Sequence, residues 1–237
     1  MYSKVVTQLD IAPTIAKIYN LDYHCEGKVI NEVVNKYKGY KVILLIIDAL
    51  GFSQLLNNLK YFTSIDLLIR KGLFYKCLIY ARYTTPAIAT ILCGRKPEIH
   101  RIYKTGDVYK TYITSIPEYL YDHGFKTTVI MEAEGALTFT NKVYKVIPVS
   151  NRDNIIEFDD EIINALLKIY VENIDLIVAH IRTLDKYGYN RNIILNLDEK
   201  LNMVFNQYAD RLLIICGDHP PHNSKDKYVP LIFSSLI

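Results

Sequence analysis

The apolar run Val42-Ile-Leu-Leu-Ile-Ile47 ends in Asp48, with Gly51 just beyond it. A buried strand that hands a carboxylate to a glycine turn sets it at the carboxyl edge of an α/β sheet, where such sheets bind ligands. A second run, Leu212-Leu-Ile-Ile-Cys216, closes in the same manner with Gly217-Asp218-His219. Carboxylate oxygens and imidazole nitrogens ligate Zn²⁺ and similar ions, so two strands offer metal ligands at one rim. Between them, Arg82-Tyr-Thr84-Thr85-Pro86 leads into an apolar stretch ending at Gly94, read as a helix that starts at Pro86. A hydroxyl there meets the free N–H groups and the positive end of the helix dipole, which also stabilise an attacked phosphate. Asp185, shortly before Gly188, and His222 complete the set. Taken singly, each has a plain structural reading. Thr84 or Thr85 can be an N-cap, Asp48 a cap of the next helix, and Asp218-His219 a turn before Pro220-Pro221. Asp185 alone reads as a solvated loop carboxylate, and His222 alone as a surface residue.

The elements that must position these residues alternate in type. Strands are predicted over 40–47, 74–80, 126–131, 143–147, 174–181, 211–216 and 229–233, several apolar on both faces as a covered parallel sheet requires. Helices are predicted between them, over 52–59, from the Ser115-Ile-Pro-Glu118 capping box to Gly124, over 161–171 and over 193–208. This alternation predicts an α/β fold, a mostly parallel central sheet with helices on both faces. Residues 1–39 read as an N-terminal helical extension packing on a core of 40–237, in a single domain overall; Asp10-Ile-Ala-Pro13 opens its amphipathic helix.

Composition narrows the function. A chain of 237 residues buries a sizeable core. The balance of 28 basic and 25 acidic residues, without a polybasic stripe, predicts no nucleic-acid surface, although nucleotides stay open as substrates. No apolar run reaches membrane-spanning length, and the N-terminus lacks a signal-peptide core. Cys25, Cys77, Cys93 and Cys216 have no C-x-x-C spacing, and Cys77 and Cys216, inside apolar runs, read as reduced core residues, which predicts a cytoplasmic protein.

The order of the chemical residues resembles the alkaline phosphatase superfamily. A strand-end Asp48, Thr84 two before a proline, Asp185, Asp218-His219, and His222 before Val229-Pro-Leu-Ile-Phe233 follow its pattern. The type I phosphodiesterase and nucleotide pyrophosphatase branch is the most similar in Gly94-Arg-Lys-Pro97-Glu98-Ile-His100 and in Ile116-Pro-Glu through Gly124 to Ile130. The resemblance implies a hydrolase with two divalent ions, zinc first and manganese second. Asp48, Thr84, Asp218 and His219 would surround one ion; Asp185, position 189 and His222 would surround the other. It implies Thr84 as nucleophile and a small phosphorylated substrate, a nucleotide among the candidates, cleaved at a phosphodiester or nucleotide pyrophosphate bond. A phosphomonoesterase or phosphomutase, or a weakened relative that binds a phospho-ligand or protein, is the alternative. Tyr189 stands where the pattern has histidine, so the second ion is expected to be weak, with His180 a substitute ligand. Arg101 stands where the pattern has glycine. Leu9-Asp10-Ile-Ala-Pro13-Thr14 resembles a helix that follows the last strand in relatives, which implies a circular permutation.

Overall fold

The computed structural model describes residues 4–237, so the first three positions of the predicted 1–39 segment lie outside the described residues. Eight strands form one sheet: β1 (Val5–Thr7), β2 (Val42–Ile47), β3 (Leu73–Leu78), β4 (Thr127–Glu132), β5 (Lys145–Val149), β6 (Leu176–Ile181), β7 (Leu212–Gly217) and β8 (Tyr228–Ser234). Their order is β1-β3-β8-β7-β2-β6-β4-β5, parallel except for β8, which runs antiparallel to both neighbours. The sheet is therefore mostly parallel and α/β, as the alternation predicts. Seven strands fall within a few residues of their predicted bounds; β1 is the addition, a three-residue edge strand too short for a periodic signal.

Parallel strands need both faces covered, and here each face has its own core. Val42, Leu44 and Ile46 of β2 join one core with Ile11, Ile15, Val33, Ile91 and Leu120. Ile43, Leu45 and Ile47 join the other with Leu55, Leu68, Phe158, Leu166, Leu197 and Val204. The two-residue alternation of β2 thus feeds both layers. The helix Ile11–Ile18 lies in the first core against the helices Asn31–Tyr37, Thr84–Cys93 and Ile116–Asp122. Val229, Leu231 and Phe233 of β8 share that core, but the helix's close neighbours are helices and not β8 itself.

Two local differences from the sequence reading matter for chemistry. The helix expected to start at Pro86 starts at Thr84 instead, with Tyr83 as its N-cap, since proline is tolerated throughout a first turn that lacks N–H acceptors. Asp185, read alone as a loop residue, sits on the short helix Thr183–Tyr187.

Candidate active site

β2 is central among the strands that bear chemistry. Its last residue, Ile47, is in register with Gly217 of β7 on one side and Ile181 of β6 on the other. Asp48 and Asp218, each the next residue along, therefore emerge side by side at the carboxyl edge. Ala49 then adopts the left-handed conformation, φ 57°, which an alanine enters only at a cost of roughly 1–2 kcal/mol. Its N–H donates to Asp218 Oδ1 (3.1 Å), which also accepts from the His219 N–H (2.7 Å), so the strained turn is fixed by the carboxylate opposite.

Three acceptors converge behind this turn. His219 Nε2 lies 3.2 Å from Asp48 Oδ1 and 3.6 Å from Asp218 Oδ2. His219 Nδ1 is 2.9 Å from the Pro220 carbonyl, a bond it can make only as donor, which turns a neutral imidazole's Nε2 lone pair toward the carboxylates. Asp48, Asp218 and His219 are 2 %, 0 % and 0 % exposed, and Asp48 Oδ1 and Asp218 Oδ2 are buried without a hydrogen-bond donor. Buried acceptors facing one another need a proton or a cation between them. Without a cation the proton is the remedy. Burial pulls the His219 imidazole down, but the bond it donates to Asp48 and the charges of Asp218 and Asp48 prevail and hold it at about 9. Burial, with the adjacent Asp48 charge, pushes Asp218 well above the carboxylate range. For Asp48, burial pushes up and the His219 and His180 contacts pull further down, leaving it below its ordinary value. A divalent ion fits the same three ligands, and His219 carries the backbone bond on its other nitrogen that ligating histidines usually have.

Thr84 is the first residue of a ten-residue helix, and its Oγ lies 3.4 Å from Asp48 Oδ2 and 3.3 Å from His219 Nε2. It is part-exposed and borders a cavity of about 400 Å³ that Asp48, His180 and Asp185 also line. Asp185 Oδ1 lies 3.6 Å from His222 Nε2, and the His222 ring is 4.6 Å from that of His219. All six predicted site residues, Asp48, Thr84, Asp185, Asp218, His219 and His222, thus collect at one edge of the sheet. His219 is common to both ligand clusters, Asp48–Asp218–His219 and Asp185–His219–His222. With Nδ1 engaged by Pro220 it has one nitrogen to give.

Tyr189 is not turned to a ligand role. Its hydroxyl donates to the Ala49 carbonyl (2.9 Å) and accepts from the Gly51 N–H (3.0 Å), bracing the turn after Asp48. Burial pushes this phenol well above its ordinary value. His180, 3 % exposed, has Nε2 3.7 Å from Asp48 Oδ2 and no hydrogen-bond partner for it. Burial drives its pKa down to about 4, so it is a neutral imidazole. Arg101 has φ 57° as the C-cap of the helix Pro97–His100, a conformation natural to the glycine of the family pattern.

Two supports escaped the sequence reading. Gln8, fully buried, donates from Nε2 to the carbonyls of Gly217 (3.2 Å) and Asp218 (2.6 Å), tying the end of β7 to the N-terminal segment. Asp159, also buried, accepts from the N–H groups of Arg182 and Thr183 (both 2.8 Å) and from the Thr183 hydroxyl, and so anchors the helix carrying Asp185. Neither position has a local sequence signal, because each acts on residues far along the chain.

No protein-family model and no curated protein matches this sequence. Solved structures do. Phosphonoacetate hydrolase from Sinorhizobium meliloti 1021, in complex with phosphonoacetate, superposes with a TM-score of 0.65 at 12% identity, over 84% of this chain and 59% of that one. A protein in the alkaline phosphatase superfamily from Vibrio parahaemolyticus gives 0.61 at 12% identity, over 97% and 69%. The fold is that of the alkaline phosphatase superfamily. Murine ectonucleotide pyrophosphatase/phosphodiesterase 5 gives 0.61 at 15% identity, over 76% and 57%, and an inactive form of it holds AMP. This alkaline-phosphatase-like chain spans about three fifths of the length of the first and third of these. Among the described residues no helix is long and apolar enough to cross a membrane.

Proposed function

We propose that the chain is a metal-dependent phosphohydrolase that cleaves phosphodiester or nucleotide pyrophosphate bonds with Thr84 as nucleophile. One observation carries this reading. The Thr84 hydroxyl stands at a helix N-terminus, 3.4 Å from Asp48 Oδ2 and 3.3 Å from His219 Nε2, beside buried carboxylate oxygens without donors. Asp48, Asp218 and His219 would hold the first divalent ion with the Thr84 oxygen beside it, and Asp185 and His222 the second, with zinc the first candidate and manganese the next. Such ions, when bound, neutralise phosphoryl oxygens and favour the ionised form of a hydroxyl. Thr84 Oγ attacks phosphorus, and its proton leaves toward Asp48 Oδ2. The new oxygen–phosphorus bond forms as the bond to the leaving alcohol or phosphate breaks. Exposed N–H groups of the helix 84–93 face the oxygens that gain charge. Water then attacks the phospho-threonine and restores the hydroxyl.

Tyr189 favours a second reading, a weakened relative that binds a phospho-ligand or a protein, since its hydroxyl is committed to Ala49 and Gly51. The superfamily neighbours and the four free cysteines support a small phosphorylated substrate met in a reducing, cytoplasmic setting. The test is a panel of aryl phosphomonoesters, phosphodiesters and nucleotide pyrophosphates with added Zn²⁺ or Mn²⁺. Diester or pyrophosphate turnover above monoester turnover is expected. Monoester preference would replace the reading by a phosphomonoesterase or phosphomutase, and turnover of none would leave the binding protein.

A further inference from the structure

The cavity that Thr84 borders has two chemically different ends. At one stand Asp48, Thr84, His180 and Asp185; the rest is bounded by Ile88 and Leu92 of the helix Thr84–Cys93, Ile102, Val108 and Ile113 of the stretch that follows it, and Met131 of β4. Several polar groups that also border this part already hold one partner within the fold. The Ser115 hydroxyl donates to Glu118 (2.5 Å), Glu118 pairs with Lys142 (3.2 Å), the Thr138 hydroxyl donates to the Gly135 carbonyl (2.7 Å), and Glu132 accepts from the N–H groups of Glu134 and Gly135. Phe139 is the one aromatic side chain in the lining, so no pair of rings is present to sandwich a base. A branched-aliphatic wall of this kind gains free energy mainly by removing apolar surface from water.

Resting on the phosphohydrolase reading, we infer that the substrate is a phosphoester with an aliphatic substituent, its chain lying in the cavity between Ile88, Leu92 and Ile113 while its phosphoryl group faces Thr84. At about 400 Å³ the cavity is within the range of small-ligand sites and has room for a chain of several carbons.

The experiment measures binding and turnover in parallel on the Zn²⁺-supplemented protein. Calorimetry compares methyl, butyl and hexyl phosphate with thymidine 5′-monophosphate; turnover compares the 4-nitrophenyl diesters of the same alcohols. Kd is expected to fall about fourfold per added methylene until the cavity is filled, the gain for burying one such group. Hexyl phosphate is expected to bind at least about tenfold tighter than the nucleotide. Ala89→Phe, which projects a ring into the cavity, and Ile113→Asp, on a different segment, should each reduce the hexyl-to-methyl ratio to below about threefold. Absent or chain-independent binding of the alkyl phosphates overturns the inference, even with brisk turnover of the methyl diester. Chain-dependent binding without turnover of any ester overturns the phosphohydrolase reading and leaves the cavity assignment standing.

Discussion

Tyr189 stands where the family pattern sets a ligand, yet its hydroxyl closes two bonds on the turn that aims Asp48. Removing that hydroxyl leaves the buried Gly51 N–H with a poorer acceptor, so Tyr189→Phe should cost about 1–2 kcal/mol, seen as a lower urea midpoint. It should also weaken the first metal site. An unchanged midpoint and Zn²⁺ affinity would show that the turn holds its shape unaided. Asp48, Asp218 and His219 were legible in the sequence because strand termini are, and a strand's end dictates where its next side chain emerges. The work of Tyr189 was not, since its partners lie well over a hundred residues away. The left-handed φ of Arg101 was foreshadowed only by the glycine it replaces in the pattern.

At the scale of elements, the alternation of strands and helices was legible because parallel strands buried on both faces leave long apolar runs. The starts of helices were less so. Thr84 and Thr85 carry no cap bond of their own, and only the fold shows that the helix N-terminus has moved two residues ahead of Pro86. The helix with Asp185 is too short to show a period, and it is held from outside by Asp159. Burial outweighs the three hydrogen bonds Asp159 accepts and pushes its carboxyl up to about 6. Between the ordinary carboxylate pKa near 4 and about 6, the folded protein then keeps a proton that the unfolded chain has lost. Stability contributed by this group is present below that window and declines as pH rises through it, by at most about 1.4 kcal/mol per pH unit. In urea unfolding at several pH values across the window, the stability of the wild type relative to Asp159→Ala should show this decline. Parallel curves would contradict it.

Across the whole molecule, the N-terminal segment is joined to the site. Asp10 accepts from the N–H groups of Thr7 and Lys28, Thr14 links the Asp10 carbonyl to the Ile30 N–H, and Gln8 reaches the carbonyls of Gly217 and Asp218. Gln8→Ala should then lower Zn²⁺ affinity about tenfold, as loss of an outer support commonly does, with calorimetry as the check; unaltered affinity would make the link purely structural. The proposed chemistry of the whole molecule depends on Thr84 as the nucleophile of a phosphohydrolase. Its most direct test is the steady-state turnover of an aryl phosphodiester by metal-supplemented wild-type and Thr84→Ala protein, with metal content measured on both. A loss of at least about a thousandfold is expected with the first metal site still filled; near-wild-type turnover by Thr84→Ala would contradict the nucleophile assignment.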